Sequence, residues 1–360
     1  MSERRVKRLL DTVPVDRDAE ERTWAVVRAA YSEHEPVRAR TPLRFALAAA
    51  VVTAAVAAAA FSPPGRAVVD AVRRTIGVEH AAPALFRLPA PGRLLVSGNG
   101  GAWVVAADGS KRRLGAWEQA AWSPHGLFVI AATANELAAI EPASGDVHWS
   151  LARPKIAFPR WGGSRIDTRV AYLTGDRLHI VVGNGRDDAV IGRVAHVAPA
   201  WRPGDRHELA FVTAQGRVRV QGAWTSRVYT RPRALAWSPN GTVLALATAT
   251  HVVLFDAATG RAREVPVDRV RALAYARDGR LAVLRGRAIL EIGGEGVRTL
   301  FTWPGRLSGL VWSPNGRFLL TSLPGADQWI FVSGRRVLAV SHIAEQFGGV
   351  PSLDGWLPGA

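Results

Sequence analysis

The chain has 360 residues, with 46 Lys and Arg against 30 Asp and Glu, a formal net charge of +16, 48% hydrophobic residues and no cysteine. The missing thiols exclude a disulfide scaffold, a cysteine nucleophile and any thiolate metal site, and the apolar content excludes a wholly disordered chain. Only Lys7, Lys111 and Lys155 are lysines, so the charge is almost entirely arginine; abundant Ala, Gly and Val beside it point to GC-rich coding, not to a partner for every arginine.

Residues 1–42 are polar and mixed in charge. Within them, Asp16 to Tyr31 opens with acids suited to a helix N-terminus and sets Trp24, Val27 and Tyr31 on one stripe, which predicts an amphipathic cytoplasmic helix. Phe45 to Phe61 is a run of 17 residues without a charge, and Leu43 and Arg44 extend it to 19, enough for a helix to cross about 30 Å of hydrocarbon. We read 43–62 as a single transmembrane helix. The competing readings are a buried Ala-rich core helix and a cleaved signal peptide, and 42 polar residues ahead of the run are too many for the latter. Ten Lys and Arg precede the span, whereas only Arg66, Arg73 and Arg74 follow closely. The positive-inside bias therefore puts the N-terminus in the cytoplasm and the remainder outside a cell membrane crossed once. Residues 63–84 start with Pro63 and Pro64 and set Val68, Val69, Val72 and Ile76 on one side, as a juxtamembrane helix or a linker would.

From there the sequence repeats itself. Ala121-Trp122-Ser-Pro-His-Gly126, Ala236-Trp237-Ser-Pro-Asn-Gly241 and Val311-Trp312-Ser-Pro-Asn-Gly316 align, with weaker copies at Tyr275, Trp201 and Trp161. The aromatic anchors recur at spacings of 39, 40, 36, 38 and 37 residues. Inside one period the pattern is all β: a strand ending at Trp237, the turn Ser238–Gly241, strands Val243–Thr248 and His251–Phe255, a turn through Gly260 and a last strand through Val265. Four short antiparallel strands per period make one blade of a β-propeller, and no room is left for crossover helices.

The W-S-P-x-G anchors, each followed by strand, Gly turn and strand, resemble the WD-repeat-like blades of TolB-type periplasmic propellers over roughly residues 85–357. The Gly-His and Trp-Asp pairs of true WD repeats do not recur. The resemblance implies a fold whose members bind partners or, fused to hydrolase domains, gate substrates. Six anchors give six blades. Leu94–Val96, Ala102–Ala106 and Lys111–Leu114 supply three strands of a seventh, whose innermost strand is either Leu85–Leu88 or the C-terminal segment around Trp356. We expect an all-β propeller over 85–360 with seven blades (six being the alternative count), closed by the C-terminus so that no sheet edge stays open.

No catalytic template is present: there is no G-x-S-x-G, P-loop or H-E-x-x-H, and the nine histidines form no i,i+4 pair. No catalytic residue, metal or cofactor is expected. Gly98 to Gly101 reads as a tight reversal, and Asp108, Glu141, Asp256 and Asp278 read as turn formers beside glycines. Trp122, Trp161, Trp201, Trp237, Tyr275, Trp312 and Trp356 read as structural wedges between blades. In propellers the loops entering the innermost strands rim the central channel. Here they carry Arg153, Lys155, Arg193, His196, Arg231, Arg233, Arg269, Arg271 and Arg306, a candidate basic rim for a phosphate or carboxylate partner. Nucleic acid is a poor fit, since residues 62–360, net +14, lie outside the cytoplasm on this topology and lack an aromatic–basic recognition motif. The leading expectation is a non-enzymatic, membrane-anchored propeller acting as an interaction platform for a protein or anionic envelope partner. The alternative is an envelope-signalling regulator, anti-sigma-like in layout, with residues 16–31 as the docking helix and the propeller as sensor.

Overall fold

The computed structural model describes residues 78–82, 87–294 and 296–359. The cytoplasmic segment with its helix over 16–31, the transmembrane span 43–62 and residues 63–77 lie outside them. Among the described residues no helix is long and apolar enough to cross a membrane.

The described chain is a ring of seven antiparallel sheets. Taken from the axis outward, the second blade holds Gln119–Trp122, Val129–Ala132, Glu136–Ile140 and Val147–Ala152; the third holds Ile156–Gly163, Thr168–Thr174, Arg177–Val182 and Ala189–Arg193. The fourth to seventh repeat the plan, with innermost strands Ala200–Trp201, Ala234–Trp237, Val270–Tyr275 and Ser308–Trp312. The first blade is composite. Its outer three strands are Arg93–Ser97, Ala102–Ala106 and Lys111–Gly115, and its innermost is the C-terminal Ser352–Leu357, paired antiparallel with Arg93–Ser97. Leu85–Leu88 is therefore not the closing strand. The C-terminal strand brings Trp356 into the core with Leu94, Val96 and Phe331.

Strand chemistry follows radial position. Second strands such as Val129–Ala132, Leu209–Val212 and Leu319–Leu323 are buried at every residue because neighbouring blades cover both their faces. Outermost strands such as Ala189–Arg193 are largely exposed and carry the charge. Two additions depart from the repeat. Val78–Ala82, inside the stretch expected to be a helix or linker, is a strand parallel to Arg336–Ser341, giving the seventh blade a fifth strand and covering its edge. The connection closing the ring contains a short helix, α1 (Ile343–Phe347), whose Phe347 is buried against Trp329, 5.1 Å away, and Trp103, 5.8 Å away.

The W-S-P-x-G turns show why each residue is there. Ser123, Ser238 and Ser313 are buried, and each hydroxyl accepts the N–H of the residue five positions on, at or immediately before the start of the next strand, at 2.9–3.0 Å. Gly126, Gly241 and Gly316 take φ of +66°, +68° and +66°, which only glycine adopts cheaply. Gly162 answers a different need, since a Cβ there would lie 2.1 Å from Cγ of Trp201. Gly162→Ala is expected to lower stability by about 1–3 kcal/mol, read from the denaturant midpoint, because the anchor ring of the next blade has no other place to go.

Candidate interaction face

The ring has two faces. The loops that enter innermost strands share one of them with the turns between second and third strands. Hydrogen bonds show this: the Arg153 N–H to the Asn135 carbonyl, 3.1 Å, and the Arg269 N–H to the Ala249 carbonyl and the Trp303 N–H to the Arg287 carbonyl, both 2.9 Å. The W-S-P-x-G turns occupy the opposite ends of the strands and form the other face.

On that second face the anchors do more than fill space. The indole N–H groups of Trp122, Trp201, Trp237 and Trp312 donate to carbonyls of the preceding blade's innermost strand: Gly355, Arg160, Ala200 and Ala274, at 3.0–3.3 Å. Arg93, Arg202 and Arg280 then reach over Trp122, Trp237 and Trp312, 4.6–5.4 Å from the ring centroids, and donate to the carbonyls of Gly126, Gly241 and Gly316. Three arginines thus staple one blade to the next and are not available to a partner. The sequence contained the signal, an arginine 29 to 35 residues before each W-S-P-x-G tryptophan, but arginine is so frequent here that spacing alone does not single it out. Trp161 stacks on Phe128 and Trp356 meets Phe331 edge-on, both with indole N–H groups that have no protein acceptor. At Tyr275 burial raises the hydroxyl pKa to about 12.

The first face holds the basic residues singled out from sequence, and the structure sorts them. Arg153 is tied down: its guanidinium lies 2.9 and 3.0 Å from the Asp188 carboxylate of the third blade. Arg193 pairs with Asp176 at 2.6 Å, Arg269 pairs with Asp268 at 3.1 Å, and the His196 ring lies 4.7 Å from that of Phe158. Lys155, Arg231, Arg233, Arg271 and Arg306 are exposed and form no ion pair among the described residues. Arg287, at the second turn of the sixth blade, belongs with them and is missed by a search confined to entering loops. Acids stand on this face too: Asp176 and Asp268 among the cations, Glu118 and Glu345 in the loops entering the second and first blades, and Asp327 at a turn of the seventh. The unpaired arginines and lysine therefore stand on the third, fifth, sixth and seventh blades, not in a closed ring.

Beneath Arg153 lies a polar cluster between the second and third blades. Asp188 accepts from the Tyr172 hydroxyl at 2.8 Å and meets His179 Nδ1 at 3.2 Å, while His179 Nε2 lies 2.9 Å from the Thr174 hydroxyl. Burial, then the Asp188 carboxylate, raises the Tyr172 pKa. Thr174, His179 and Asp188 stand in the order of a proton relay, yet Asp188 also holds Tyr172 and Arg153. The arrangement is a clamp across two blades, its polar groups partnered.

A second buried charge is not so well served. Asp354 sits on the closing strand at a bulge between the pairs Leu95–Gly355 and Val96–Leu353. Its Oδ2 is buried without a hydrogen-bond partner. Burial raises the carboxyl to a pKa of about 7, with Ser97 and the Arg160 guanidinium only partly offsetting the rise. Arg160, on the innermost strand of the third blade, is itself pulled down by burial and donates to the Pro159 carbonyl at 2.9 Å.

No family model and no curated protein matches the sequence. Solved structures do match the fold. A propeller chain of a mitotic checkpoint complex superposes with a TM-score of 0.53 at 19% identity over 70% of this chain and 94% of its own. Hsv2 of Kluyveromyces lactis gives 0.52 at 12% over 69% and 94%. The β-propeller domain of Cps50 (Swd1) from Myceliophteria thermophila gives 0.50 at 11% over 63% and 86%. At these identities the likeness shows a β-propeller fold and nothing finer.

Proposed function

We propose that the chain is a non-enzymatic interaction platform, a propeller carried on the extracytoplasmic side of a single membrane span and engaging its partner through the face on which the innermost strands begin. The observation that carries the reading is the sorting of charge on that face. Three of the nine basic residues, Arg153, Arg193 and Arg269, are consumed by intramolecular acids, whereas Lys155, Arg231, Arg233, Arg271 and Arg306 stand exposed without an ion pair among the described residues. A rigid closed ring holds such groups in fixed relation without a hinge, which suits recognition. That a propeller chain stands within a mitotic checkpoint complex is a precedent for the class of role. The membrane stem rests on the uncharged run 45–61 and the excess of arginine ahead of it.

Because the chain has no cysteine, single introduced thiols report on topology and contact together. Ile166→Cys marks the W-S-P-x-G face, where Ile166 is 98% exposed, and Ser308→Cys marks the opposite one. With a membrane-impermeant maleimide photo-cross-linker applied to intact cells, both thiols should label and only Ser308→Cys should give adducts. Labelling that needs broken cells would remove the extracytoplasmic topology, and equal adducts from both faces would remove the chosen face.

A further inference from the structure

We infer that the seam between the fifth and sixth blades, at its W-S-P-x-G end, binds a small aromatic carboxylic acid. This site lies on the face opposite the platform surface and stands independently of that reading. The first observation is what closes the same place at other seams, beside the turns that join third to fourth strands. Trp149, on the outermost strand of the second blade, donates its indole N–H to the Gly183 carbonyl of the third blade at 2.8 Å. Trp224, on that of the fourth, donates to the Ala257 carbonyl of the fifth at 3.0 Å. Each ring lies against a turn glycine of the next blade: a Cβ at Gly185 or Gly260 would meet it at 2.8 or 2.9 Å. Arg263 holds this position on the fifth blade, since Trp149, Trp224 and Arg263 lie across from Ala139, Val220 and Leu254 of their third strands. At the corresponding turn of the sixth blade, a Cβ on Gly293 or Gly294 would have no atom within 4 Å.

The inner part of the seam is thinly covered as well. The junctions of the first blade with the second and of the sixth with the seventh also lack the outer tryptophan, but there Arg93 and Arg280 lie over the anchor indole. Between the fifth and sixth blades the anchor is Tyr275, which is one ring smaller. Thr242 stands five residues after Trp237, where Arg280 stands five after Tyr275. Its hydroxyl is engaged by Asn240 Oδ1 at 2.8 Å. The outcome is an open-sided cleft of about 300 Å³, walled by Val243, Leu254, Asp256, Arg261 and Arg263 on the side of the fifth blade that packs against Tyr275.

The third observation is the chemistry of that wall. Val243 and Leu254 offer apolar surface to a ring. Asp256 is engaged by its own turn, accepting from the N–H and hydroxyl of Thr259 at 2.8 and 2.7 Å. Arg261 and Arg263 are exposed and form no ion pair among the described residues. A guanidinium beside an aromatic ring is the arrangement the propeller itself uses over Trp122, Trp237 and Trp312. A carboxylate on the ring supplies the bidentate acceptor that the two arginines lack. At about 30 Å³ per water, the cleft suits a body of about ten heavy atoms, the size of a one- or two-ring acid.

The test is calorimetric titration of the full-length chain in lipid nanodiscs with indole-3-propionate, the signal of nanodiscs alone being subtracted. Its comparators are indole-3-propionamide, cyclohexanepropionate and the peptide Gly-Gly-Trp. The acid should bind saturably, one per chain, and at least about tenfold more tightly than the amide, as a charged hydrogen bond requires. Arg261→Ser with Arg263→Ser should erase that difference, and Arg317→Ser elsewhere on the same face should preserve it. Arg263→Trp should abolish binding and raise the melting temperature, because the added indole fills this seam as Trp149 and Trp224 fill theirs. The serine pair decides alone should Arg263→Trp fail to fold. Absence of saturable binding, equal binding of acid and amide, or undiminished binding by Arg263→Trp overturns the proposal. So does cyclohexanepropionate binding as well as the indole acid, which removes the aromatic ring, or Gly-Gly-Trp binding more tightly, which assigns the cleft to a peptide end. None of these results bears on photo-cross-linking at the opposite face.

Discussion

Asp188→Ala is expected to destabilise the propeller by about 3–5 kcal/mol, the range seen when one partner of a buried ion pair is removed. The carboxylate is the shared acceptor for Arg153, Tyr172 and His179, and its side chain is 8% exposed. Truncation strands a buried hydroxyl and a buried imidazole in the gap between the second and third blades, and each unsatisfied group costs about 1–3 kcal/mol. Asp188→Asn keeps an acceptor for the Tyr172 hydroxyl and should cost less. Arg153→Ala should cost less again, because the guanidinium is 40% exposed and water can replace it at the Asp188 edge. Urea midpoints of the three variants test the ranking. If Arg153→Ala matched Asp188→Ala, the clamp would be an ordinary surface pair. The same series bears on the platform: Arg153→Ala should lower stability without weakening partner capture, since that arginine is already occupied.

A second large effect concerns pH. Asp354 has a native pKa of about 7 against an ordinary value of 3.8. With the native value raised, the native state holds the proton more tightly than the unfolded chain does, so stability falls as pH rises between the two values. Below about pH 4 both states are protonated and no penalty exists. Between about 4 and 7 the penalty grows by about 1.4 kcal/mol per pH unit, and above 7 it is constant at a few kcal/mol. Asp354→Asn should therefore be more stable than the parent at pH 8, by about 2–4 kcal/mol, and equal to it near pH 4. Arg160, the facing charge, moderates the penalty, so Arg160→Met should enlarge it. Denaturant midpoints across this range test the assignment, and parallel curves for parent and Asp354→Asn would sink it. The physical point is where the acid sits: on the strand that closes the ring, re-aimed by a bulge, with one oxygen unpartnered.

How far sequence reaches is clearest at the anchors. Trp237-Ser238-Pro239-Asn240-Gly241 specifies its turn locally: a hydroxyl that accepts a strand N–H five residues on and a glycine with positive φ. Strand boundaries in the fifth blade, Ala234–Trp237, Val243–Ala247, His251–Asp256 and Ala262–Pro266, lie within a residue or two of those read from apolar pattern and turn residues. Asp108 and Asp256 accept turn N–H groups at 2.9 and 2.8 Å, as turn formers beside glycine should. The basic rim is another matter. Arg153, Arg193 and Arg269 look the same as Lys155, Arg231 and Arg271 in a sequence with an arginine in most windows, and only their acids, 17 and 35 residues away or adjacent, tell them apart.

Periodicity, turn chemistry and the absence of crossover segments determined by themselves that this chain builds four-stranded blades in series, because each of those features acts over a few residues. Tertiary structure alone decided that Arg93, Arg202 and Arg280 are staples, that Asp188 joins two blades and that one carboxylate oxygen of Asp354 is buried without a partner. Each of these depends on groups far apart in the chain meeting across an interface. There burial and a shared hydrogen bond, not residue type, set what a side chain is free to do.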